Sequence, residues 1–278
     1  MSGTLTLVPT PIGNLSDISP RCRQALEEAD FIAAEDTRVT LKLLNHLGIK
    51  KPLVSYYEHN KEFSGRKIVE RILAGENCAQ VSDAGSPAIS DPGEDLVRLC
   101  AESGITVTAV PGPCAAITAL SISGLPTGRF TFEGFLSTTK KTRAAHLKSL
   151  QEERRTMIFY EAPHKLCATL TDLEQAFGAQ RRISLCRELT KLHEEVLRMT
   201  LREAVAYYAE QPPRGEFVLI VEGAPEAREE GVSMEAALAR IAALTESGVS
   251  KKDAVRQVAQ ETGLPKNALY DAAVKGEA

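Results

Sequence analysis

The chain has 278 residues, a net charge of −4 and 43% hydrophobic residues, which is typical of a soluble globular protein long enough for two domains. No apolar run could cross a bilayer and no basic-then-apolar leader opens the sequence, so we expect a cytoplasmic protein with no membrane partner. Six scattered cysteines without a CxxC pair indicate reduced thiols and give no support for a metal site. The net charge gives no overall attraction to nucleic acid.

Strands and helices alternate in the first part of the chain. Residues 4–8 alternate in hydrophobicity and stop at Pro9, which predicts a strand that ends in a turn. Ser19 and Pro20 then predict the N-cap and the first position of a helix. Further helices are predicted over "RVTLKLLNHLG", "GRKIVERILAG" and "EDLVRLCAESG". This alternation predicts an α/β domain, residues 1–120, with a mostly parallel, buried sheet.

The alternation then restarts and predicts a second α/β domain, residues 121–225. Its predicted strands include "RRTMIFYEAPHK", "RRISLCREL" and "RGEFVLIVEG", and its helices include "LCATLTDLEQAFG" and "TLREAVAYYAEQ". A charged linker, "APEAREEGVS", leads to a small helical module, residues 233–278. There Ser250 caps a helix that Gly263 ends, and Pro265 opens the next helix, as in a helix-turn-helix.

Four turns rich in small residues directly follow predicted strands: "VPTPIGN", "VSDAGSP", "VPGPCAA" and "FYEAPHK". Ligands of open parallel sheets bind beyond the carboxyl ends of the strands, and small residues let the backbone approach a ligand. One such turn is typical of any tight connection, but four favour a shared ligand site. Motifs for a P-loop, a dinucleotide site and a hydrolase elbow are absent from the sequence. The small apolar loop residues suit an adenine ring with a short charged tail: Ala84, Gly85, Pro113, Ala115 and Ala116.

The segment "TKKTRAAHLKSLQEERRT" is basic, although the chain as a whole has a negative net charge. Its only acidic residues are Glu152 and Glu153, against Lys140, Lys141, Arg143, Lys148, Arg154 and Arg155. The segment is either a solvated helix face or a phosphate-facing patch that positions a nucleic acid.

Seven segments together resemble one family: "TPIGNL", "EDTR", "SDAGSPAISDPG", "VPGPCAAITALSISGLP", "YEAPHK", "CRELTKLHEE" and "GEFVLIVEG". Over residues 4–225 and the tail, the chain is similar to the tetrapyrrole methylase superfamily, the class III S-adenosylmethionine-dependent methyltransferases. Within it, the similarity is to a branch that methylates the ribose 2′-hydroxyl of a cytidine in the decoding region of 16S rRNA. The resemblance implies two α/β domains with S-adenosylmethionine in the cleft between them, a homodimer, and the 30S ribosomal subunit as partner.

The resemblance also implies a set of residues that border the cofactor: Pro9, Asp83, Ala84, Ser86, Ile89, Cys114, Ala115, Glu161 and Leu189. Two loops depart from the tetrapyrrole-modifying relatives. Those relatives usually begin with a GxGPGD-type loop, where this chain reads "PTPIGNLSD", and carry a Gly-Gly-Asp-Pro run, where this chain has Ser86 in the Asp position. These departures favour RNA over a macrocycle as substrate.

Methyl transfer to a ribose hydroxyl needs alignment of the reacting groups and a base for the proton. Glu35 and Asp36 follow a strand, and we hypothesise that one of them orients or deprotonates the hydroxyl while Arg38 holds a phosphate. The alternative is that "EDTR" is a helix-opening cap with a local ion pair. In "CRELTKLHEE", Arg187 and Lys191 are predicted to contact RNA or to stabilise negative charge that develops on the oxygen; the alternative is a charged, solvated strand edge.

If the substrate is RNA, we expect contacts from Lys140, Lys141, Arg143 and Arg187, and an auxiliary docking role for the helical tail. The tail is alternatively a dimer-packing helical bundle. Two other functions stay open: methylation of a tetrapyrrole or other small molecule, and a non-catalytic RNA-binding assembly factor. The basic segment and the tail weigh against the first, and the complete "EDTR" and "SDAGSP" loops weigh against the second.

Overall fold

The computed structural model describes residues 2–225 and 232–275, which form two compact units, Met1–Ala224 and Pro225–Ala278. Most of the predicted charged linker, residues 226–231, lies outside the described residues, as do residues 276–278 of the predicted helical module. The predicted fold class, two α/β sheets followed by a helical module, is confirmed.

The first sheet is entirely parallel, with strand order β3-β2-β4-β1-β5. Its strands are β1 (Thr4–Leu7), β2 (Phe31–Ala34), β3 (Leu53–Ser55), β4 (Cys78–Val81) and β5 (Thr106–Ala109). All residues of β2 and β4 are buried, because helices cover both faces. A parallel sheet covered in this way leaves its strand-end loops as the accessible edge.

Four helices cover this sheet: α1 (Pro20–Glu28), α2 (Thr37–Leu47), α3 (Lys61–Leu73) and α4 (Gly93–Glu102). The predicted start of α1 is confirmed, since the Ser19 hydroxyl accepts a hydrogen bond from the Cys22 N–H and Pro20 occupies the first helical position. Helix α2 ends at Gly48, whose φ of 71° favours glycine.

Helix α5 (Ala115–Ile122) connects the two sheets along the chain. Its buried residues Ala116, Ala119 and Leu120 pack in one cluster with Ile158 and Val218 of the second sheet. The predicted boundary between residues 120 and 121 falls inside this helix. We therefore propose that the second half of the α/β unit begins ahead of α5.

The second sheet has the order β6-β7-β10-β8-β9. Its strands are β6 (Phe130–Phe135), β7 (Thr156–Glu161), β8 (Arg182–Arg187), β9 (Glu195–Thr200) and β10 (Phe217–Val221). Helices α6 (Lys140–Ser149), α7 (Pro163–Phe177) and α8 (Leu201–Glu210) follow β6, β7 and β9 in the chain. An apolar core of residues from the sheet and these helices fills the side opposite α5.

The second sheet differs from the first in being mostly antiparallel. Only β6 and β7 are parallel, whereas β10 lies antiparallel between β7 and β8, and β9 is antiparallel to β8. Strand β9 was not predicted, and its first residue, Glu195, is the last residue of the "CRELTKLHEE" segment. A short connection can join antiparallel strands, so residues 188–194 form a hairpin loop.

The second unit contains α9 (Met234–Glu246), α10 (Lys251–Thr262) and α11 (Lys266–Lys275) around a small apolar core of its own. The predicted Ser250 cap and Gly263 end of α10 are confirmed, and Gly263 has a φ of 69°. None of the helices in the described residues is long and apolar enough to cross a membrane.

Candidate functional site

A cavity of about 460 Å³ lies where loops of the first sheet face loops of the second. It brings together most of the residues predicted as catalytic or cofactor-binding: Glu35, Asp83, Ala84, Ser86, Ile89, Cys114, Ala115, Glu161, Leu189 and Lys191. Pro9, Asp36 and Arg38 are not part of its lining. The predicted residues therefore meet at a cavity beyond the strand ends of the first sheet, the edge at which ligands of parallel sheets bind.

Backbone hydrogen bonds join the first-sheet loops into one floor. Thr10 and Gly85 exchange two N–H···O=C bonds of 3.0 Å each, and the Ser86 hydroxyl donates to the Pro113 carbonyl at 2.9 Å. Gly85 has a φ of 83°, and an added Cβ would lie 3.2 Å from Ile12 Cγ2. Glycine is therefore needed both for the backbone conformation and for the close packing of these loops.

The second half of this loop starts helix α4. Asp91 Oδ1 accepts hydrogen bonds from the Ala88 N–H at 3.0 Å and the Gly93 N–H at 2.7 Å. These bonds hold Ala88 and Ser90 in left-handed conformations, with φ of 66° and 62°. Asp91 Oδ2 is buried beside the cavity and has no hydrogen-bond partner among the described residues. Asp91 therefore fixes the turn that leads into α4.

The opposite wall is the hairpin loop of residues 188–194. Glu188 and Thr190 have positive φ values of 51° and 65°. The Glu188 carboxylate accepts from the Glu216 N–H at 3.0 Å and from Lys191 Nζ at 2.8 Å, and Lys191 Nζ also reaches Glu216 Oε2 at 2.8 Å. Burial would lower the pKa of Lys191, but the hydrogen bonds to Glu188 and Glu216 outweigh it and raise this pKa. Lys191 is therefore a fixed cation and unsuited to act as a base.

The structure gives the two neighbouring carboxylates of "EDTR" different environments. Asp36 caps α2, because its Oδ1 accepts from the Arg38 N–H at 2.8 Å, and Arg38 Nη2 lies 2.6 Å from its Oδ2. Hydrogen bonds from the Arg38 side chain and backbone lower the pKa of Asp36 to about 2. Glu35 instead lines the cavity. The helix-cap alternative thus describes Asp36 and Arg38, while Glu35 faces the site.

The carboxyl group of Glu35 is partly buried and lies near the negative charge of Asp83. Burial raises the pKa of Glu35 above its usual value, and the charge of Asp83 raises it further. Asp83, whose Oδ1 accepts from the Asp36 N–H at 3.0 Å, also has a raised pKa, chiefly through burial. A carboxylate with a raised pKa is better matched to accept a proton near neutral pH.

Glu161 is 4% exposed and already has hydrogen-bond partners for both carboxylate oxygens. Its Oε1 accepts from the Ala162 N–H at 2.9 Å, and its Oε2 accepts from the Thr169 hydroxyl. Arg143 donates to the same hydroxyl at 2.8 Å and forms an ion pair with Asp172 at 2.6 Å. We therefore propose that Glu161 shapes the cavity wall, with Thr169 and Arg143 holding it.

The residues predicted to contact RNA are not equivalent. Lys140 and Lys141 are exposed at the start of α6, and Lys140 lines a second cavity of about 840 Å³ with Lys148 and Lys165. Arg143 is mostly engaged inside the protein, as described above. Arg187 Nε donates to Glu195 Oε2 at 3.1 Å across the β8–β9 pair. Contact with RNA stays a prediction for all four residues. Lys140 and Lys141 fit it best, because their side chains are exposed and those of Arg143 and Arg187 have partners within the protein.

Several residues that line the cavity were not predicted. Tyr160, beside the predicted Glu161, accepts a hydrogen bond from the Ala116 N–H at 3.2 Å, and burial followed by the neighbouring Cys114 raises its pKa to about 12. Most of the others belong to the quoted motifs, so motif membership alone could have identified Ile12, Ser82, Ser90, Asp91, Ala162, Pro163, Cys186, Glu216, Phe217 and Val218. Phe135 also lines the cavity but belongs to none of the quoted motifs, so no sequence pattern indicated its position.

The lining combines apolar walls with several carboxylates and one ammonium group. Apolar walls suit a flat ring, and carboxylates suit a ligand that carries positive charge. Among residues 2–225 and 232–275, no cluster of three or more His, Cys, Asp or Glu side chains could hold a metal ion.

Comparison with protein-family models matches residues 4–205 to the Tetrapyrrole (Corrin/Porphyrin) Methylases and residues 232–276 to the RsmI C-terminal HTH domain. The chain is 48% identical over 276 residues to the Ribosomal RNA small subunit methyltransferase I of Synechocystis sp., covering 99% of each. It is 46% identical over 275 residues to the protein of that name from Escherichia coli O157:H7, covering 98% of this chain and 95% of that protein.

Solved structures share the fold at low sequence identity. The methyltransferase CobJ matches with a TM-score of 0.61 and 19% identity, covering 80% of this chain and 95% of that one. Uroporphyrin-III C-methyl transferase from Thermus thermophilus, complexed with S-adenyl homocysteine, matches with a TM-score of 0.55 and 18% identity, covering 79% and 97%.

The Glu35 carboxyl should titrate above its usual pKa, and Asp83→Asn should lower that pKa because it removes a nearby negative charge. Carboxyl ¹³C NMR titration of the labelled protein measures both values. Glu102→Gln, an exposed position at the far end of α4, serves as the control and should leave Glu35 unchanged. A Glu35 pKa at or below its usual value would contradict the description of the site.

Proposed function

The chain belongs to the tetrapyrrole methylase family, and from that membership we propose that it transfers a methyl group from S-adenosylmethionine to the ribose 2′-hydroxyl of a cytidine in 16S rRNA. It is a methyltransferase of small-subunit ribosomal RNA, as its full-length relatives are named. The match of residues 232–276 to the RsmI C-terminal HTH domain supports RNA over a small-molecule substrate, because the uroporphyrin-III C-methyl transferase, matched over 97% of its own length, covers only 79% of this chain.

The cavity fits S-adenosylmethionine on its own chemistry. Ile12, Ile89 and Leu189 offer apolar contacts for the adenine ring, and the small Ala84 and Ala115 leave room for close approach of the backbone. The carboxylates of the lining suit the positive charges of the ligand, and the buried, unpartnered Asp91 Oδ2 can accept one more hydrogen bond. When bound, S-adenosylmethionine supplies an electrophilic methyl group on a positively charged sulfur.

The chain's own residues orient the ribose and accept its proton. Glu35, with its raised pKa, accepts the hydroxyl proton, a role that typically contributes on the order of 10²–10⁴-fold to the rate. Lys191 stays protonated between Glu188 and Glu216 and stabilises negative charge that develops on the ribose oxygen. Arg38, exposed at the start of α2, holds a phosphate of the RNA, as do Lys140 and Lys141 on α6.

The target cytidine, the assembled 30S subunit as substrate, the homodimer and the cytoplasmic location are part of the same proposal. They are supported by the family resemblance of the "EDTR", "SDAGSP" and "RELTKLHEE" loops. The observation that carries the proposal is the convergence of these three loops on one cavity.

Incubation of the protein with methyl-labelled S-adenosylmethionine and 30S particles that lack the modification should label the 16S rRNA. Mapping of the product should place the methyl group on a cytidine ribose. Alkali cleaves RNA through the free 2′-hydroxyl, so a methylated ribose is recognised by the alkali resistance of the linkage that follows it. Free 16S rRNA in a parallel reaction distinguishes the two substrate forms. A label on a base or on ribosomal protein would overturn the proposed reaction.

Glu35→Gln should lower kcat for methylation by about 10²–10⁴-fold while binding of S-adenosylmethionine, measured by calorimetry, remains. Asp36→Asn is the matched control at the next position, and its loss should be much smaller because asparagine also caps helices well. In the wild-type protein, the rate should fall at acidic pH with a midpoint above the usual pKa of a glutamate, because the pKa of Glu35 is raised. This fall should disappear in Glu35→Gln. A larger loss in Asp36→Asn would assign the base to Asp36.

Removal of residues 231–278 should weaken methylation of 30S particles through a higher KM, since we assign the helical module to docking. Binding of S-adenosylmethionine should remain, because every residue of the cavity belongs to the first compact unit. Thermal unfolding of the shortened chain checks that it is folded. Unchanged methylation would exclude the docking role, and a change to monomers in sedimentation would favour dimer packing.

A further inference from the structure

Three aromatic or imidazole rings are exposed in the segment of residues 57–63, which runs from the end of β3 into the first turn of α3: Tyr57, His59 and Phe63. Strand β3 pairs in parallel with β2, with Ser55 opposite Ala34, and the Tyr56 N–H donates to the Ala34 carbonyl at 2.8 Å. Neighbouring strands lie about 4.8 Å apart. The segment therefore leaves the sheet at the same edge as Glu35, one strand away.

Hydrogen bonds fix the shape of this segment. Asn60 Oδ1 accepts from the Tyr57 N–H at 2.8 Å, and Asn60 Nδ2 donates to the Ser55 carbonyl at 3.1 Å. Lys61 joins the segment to α4 through an ion pair of 2.8 Å with Asp95. The rings are therefore displayed to solvent by a built turn, which lowers the entropy lost when a ligand orders them.

The rings form a surface that fits a flat aromatic partner. Tyr57 and His59 meet edge to face, with centroids 6.1 Å apart, and the Phe63 ring lies 4.1 Å from Lys67 Nζ although the residue is 68% exposed. A hollow of about 310 Å³ separates His59 from Phe63 and is also lined by Glu58 and Glu62. Nucleobases stack on aromatic rings, and carboxylates accept hydrogen bonds from the amino group of cytosine.

Helix α2, which packs beside β3, adds positive charge to this side of the molecule. Arg38, Lys42 and His46 are exposed at four-residue spacing, which places them on one face of the helix. The sequence of α2, "TRVTLKLLNHL", contains no acidic residue. Arg38 is 87% exposed although it pairs with Asp36, so its remaining N–H groups can reach a phosphate.

We propose that the turn of residues 57–63 and the exposed face of α2 bind unpaired nucleotides that flank the methylated ribose. This inference rests on the proposed RNA substrate and names the surface that receives it. Bases stack on Phe63 and Tyr57, and the phosphates between them contact Arg38 and Lys42. Proteins that bind single-stranded RNA combine aromatic rings with basic side chains, because unpaired bases are free to stack on the rings while the phosphates contact the basic groups.

The test measures binding of a fluorescent single-stranded oligoribonucleotide and, separately, KM for 30S particles. Phe63→Ala should weaken oligonucleotide binding and raise KM by roughly tenfold, the loss of one stacked base. Phe63→Tyr should keep both values, and Phe63→Leu, which is apolar but has no π face, should behave like the alanine variant. Leu73→Ala, on the other end of α3 and 50% exposed, is the matched control and should change neither value.

Lys42→Ala tests the phosphate contact. It should reduce the slope of log Kd against log salt by about 0.7, the value of one phosphate contact in single-stranded nucleic acid. Affinity for S-adenosylmethionine should stay at the wild-type value in all these variants, which also shows that they are folded.

Unchanged oligonucleotide binding and KM in Phe63→Ala would overturn the inference. An effect on 30S particles without an effect on the oligonucleotide would assign the turn to a ribosomal protein, and altered sedimentation of the free variant would assign it to self-association. If the wild-type protein labels no RNA, the proposed function fails, whereas the oligonucleotide measurement still decides whether this surface binds RNA.

Discussion

The close contact between Gly13 and the hairpin loop of residues 188–194 is the constraint on which the site depends. A Cβ at Gly13 would lie 2.5 Å from Lys191 Cγ, closer than real Cβ atoms approach a neighbour, and 3.0 Å from the Leu189 carbonyl oxygen. The Asn14 N–H adds a hydrogen bond of 3.1 Å to Thr190 Oγ1. Because the first loop extends from β1 and the second from β8, this contact fixes the separation of the two sheets. The cavity is the space that the separation leaves.

Backbone in the left-handed region occurs on both sides of the cavity. Glu188 and Thr190 adopt left-handed conformations in one wall, and Ala88 and Ser90 do so in the other. Each such residue costs of order 1 kcal/mol or more, and the surrounding hydrogen bonds of Glu188 and Asp91 offset that cost. Strain that is held in this way places loops precisely, which a site that aligns two reactants requires.

Much of the fold followed from local sequence rules, and so did the position of the site. The caps at Ser19 and Ser250 depend on residues a few positions apart, and the strand-end rule depends only on the order of elements along the chain. The direction of β10 and the presence of β9 depend on which strands meet in space, so alternation of elements could not predict them. The partners of Arg143 belong to α7, 26 and 29 residues away, and no local pattern identifies them.

The different roles of Glu35 and Asp36 show the same limit on a smaller scale. Both carboxylates follow β2 and both fit the chemistry, so composition and spacing left the choice between them open. Which of them starts α2 is decided by the direction in which the chain leaves the sheet. The residue that caps the helix is held by Arg38 and acquires a low pKa, and its neighbour is directed towards the cavity and acquires a raised one.

The charge distribution fits a protein that holds a cationic cofactor and acts on a polyanion. A net charge of −4 would repel RNA if it were spread evenly over the surface. The cavity lining instead holds carboxylates, among them Glu35, Asp83 and Asp91, against the single ammonium group of Lys191. Basic side chains are exposed outside it, on α2 and at the start of α6. At physiological salt, exposed charges more than about 8–10 Å apart are screened from one another. The acidic cavity and the basic surfaces can therefore bind ligands of opposite charge on the same molecule.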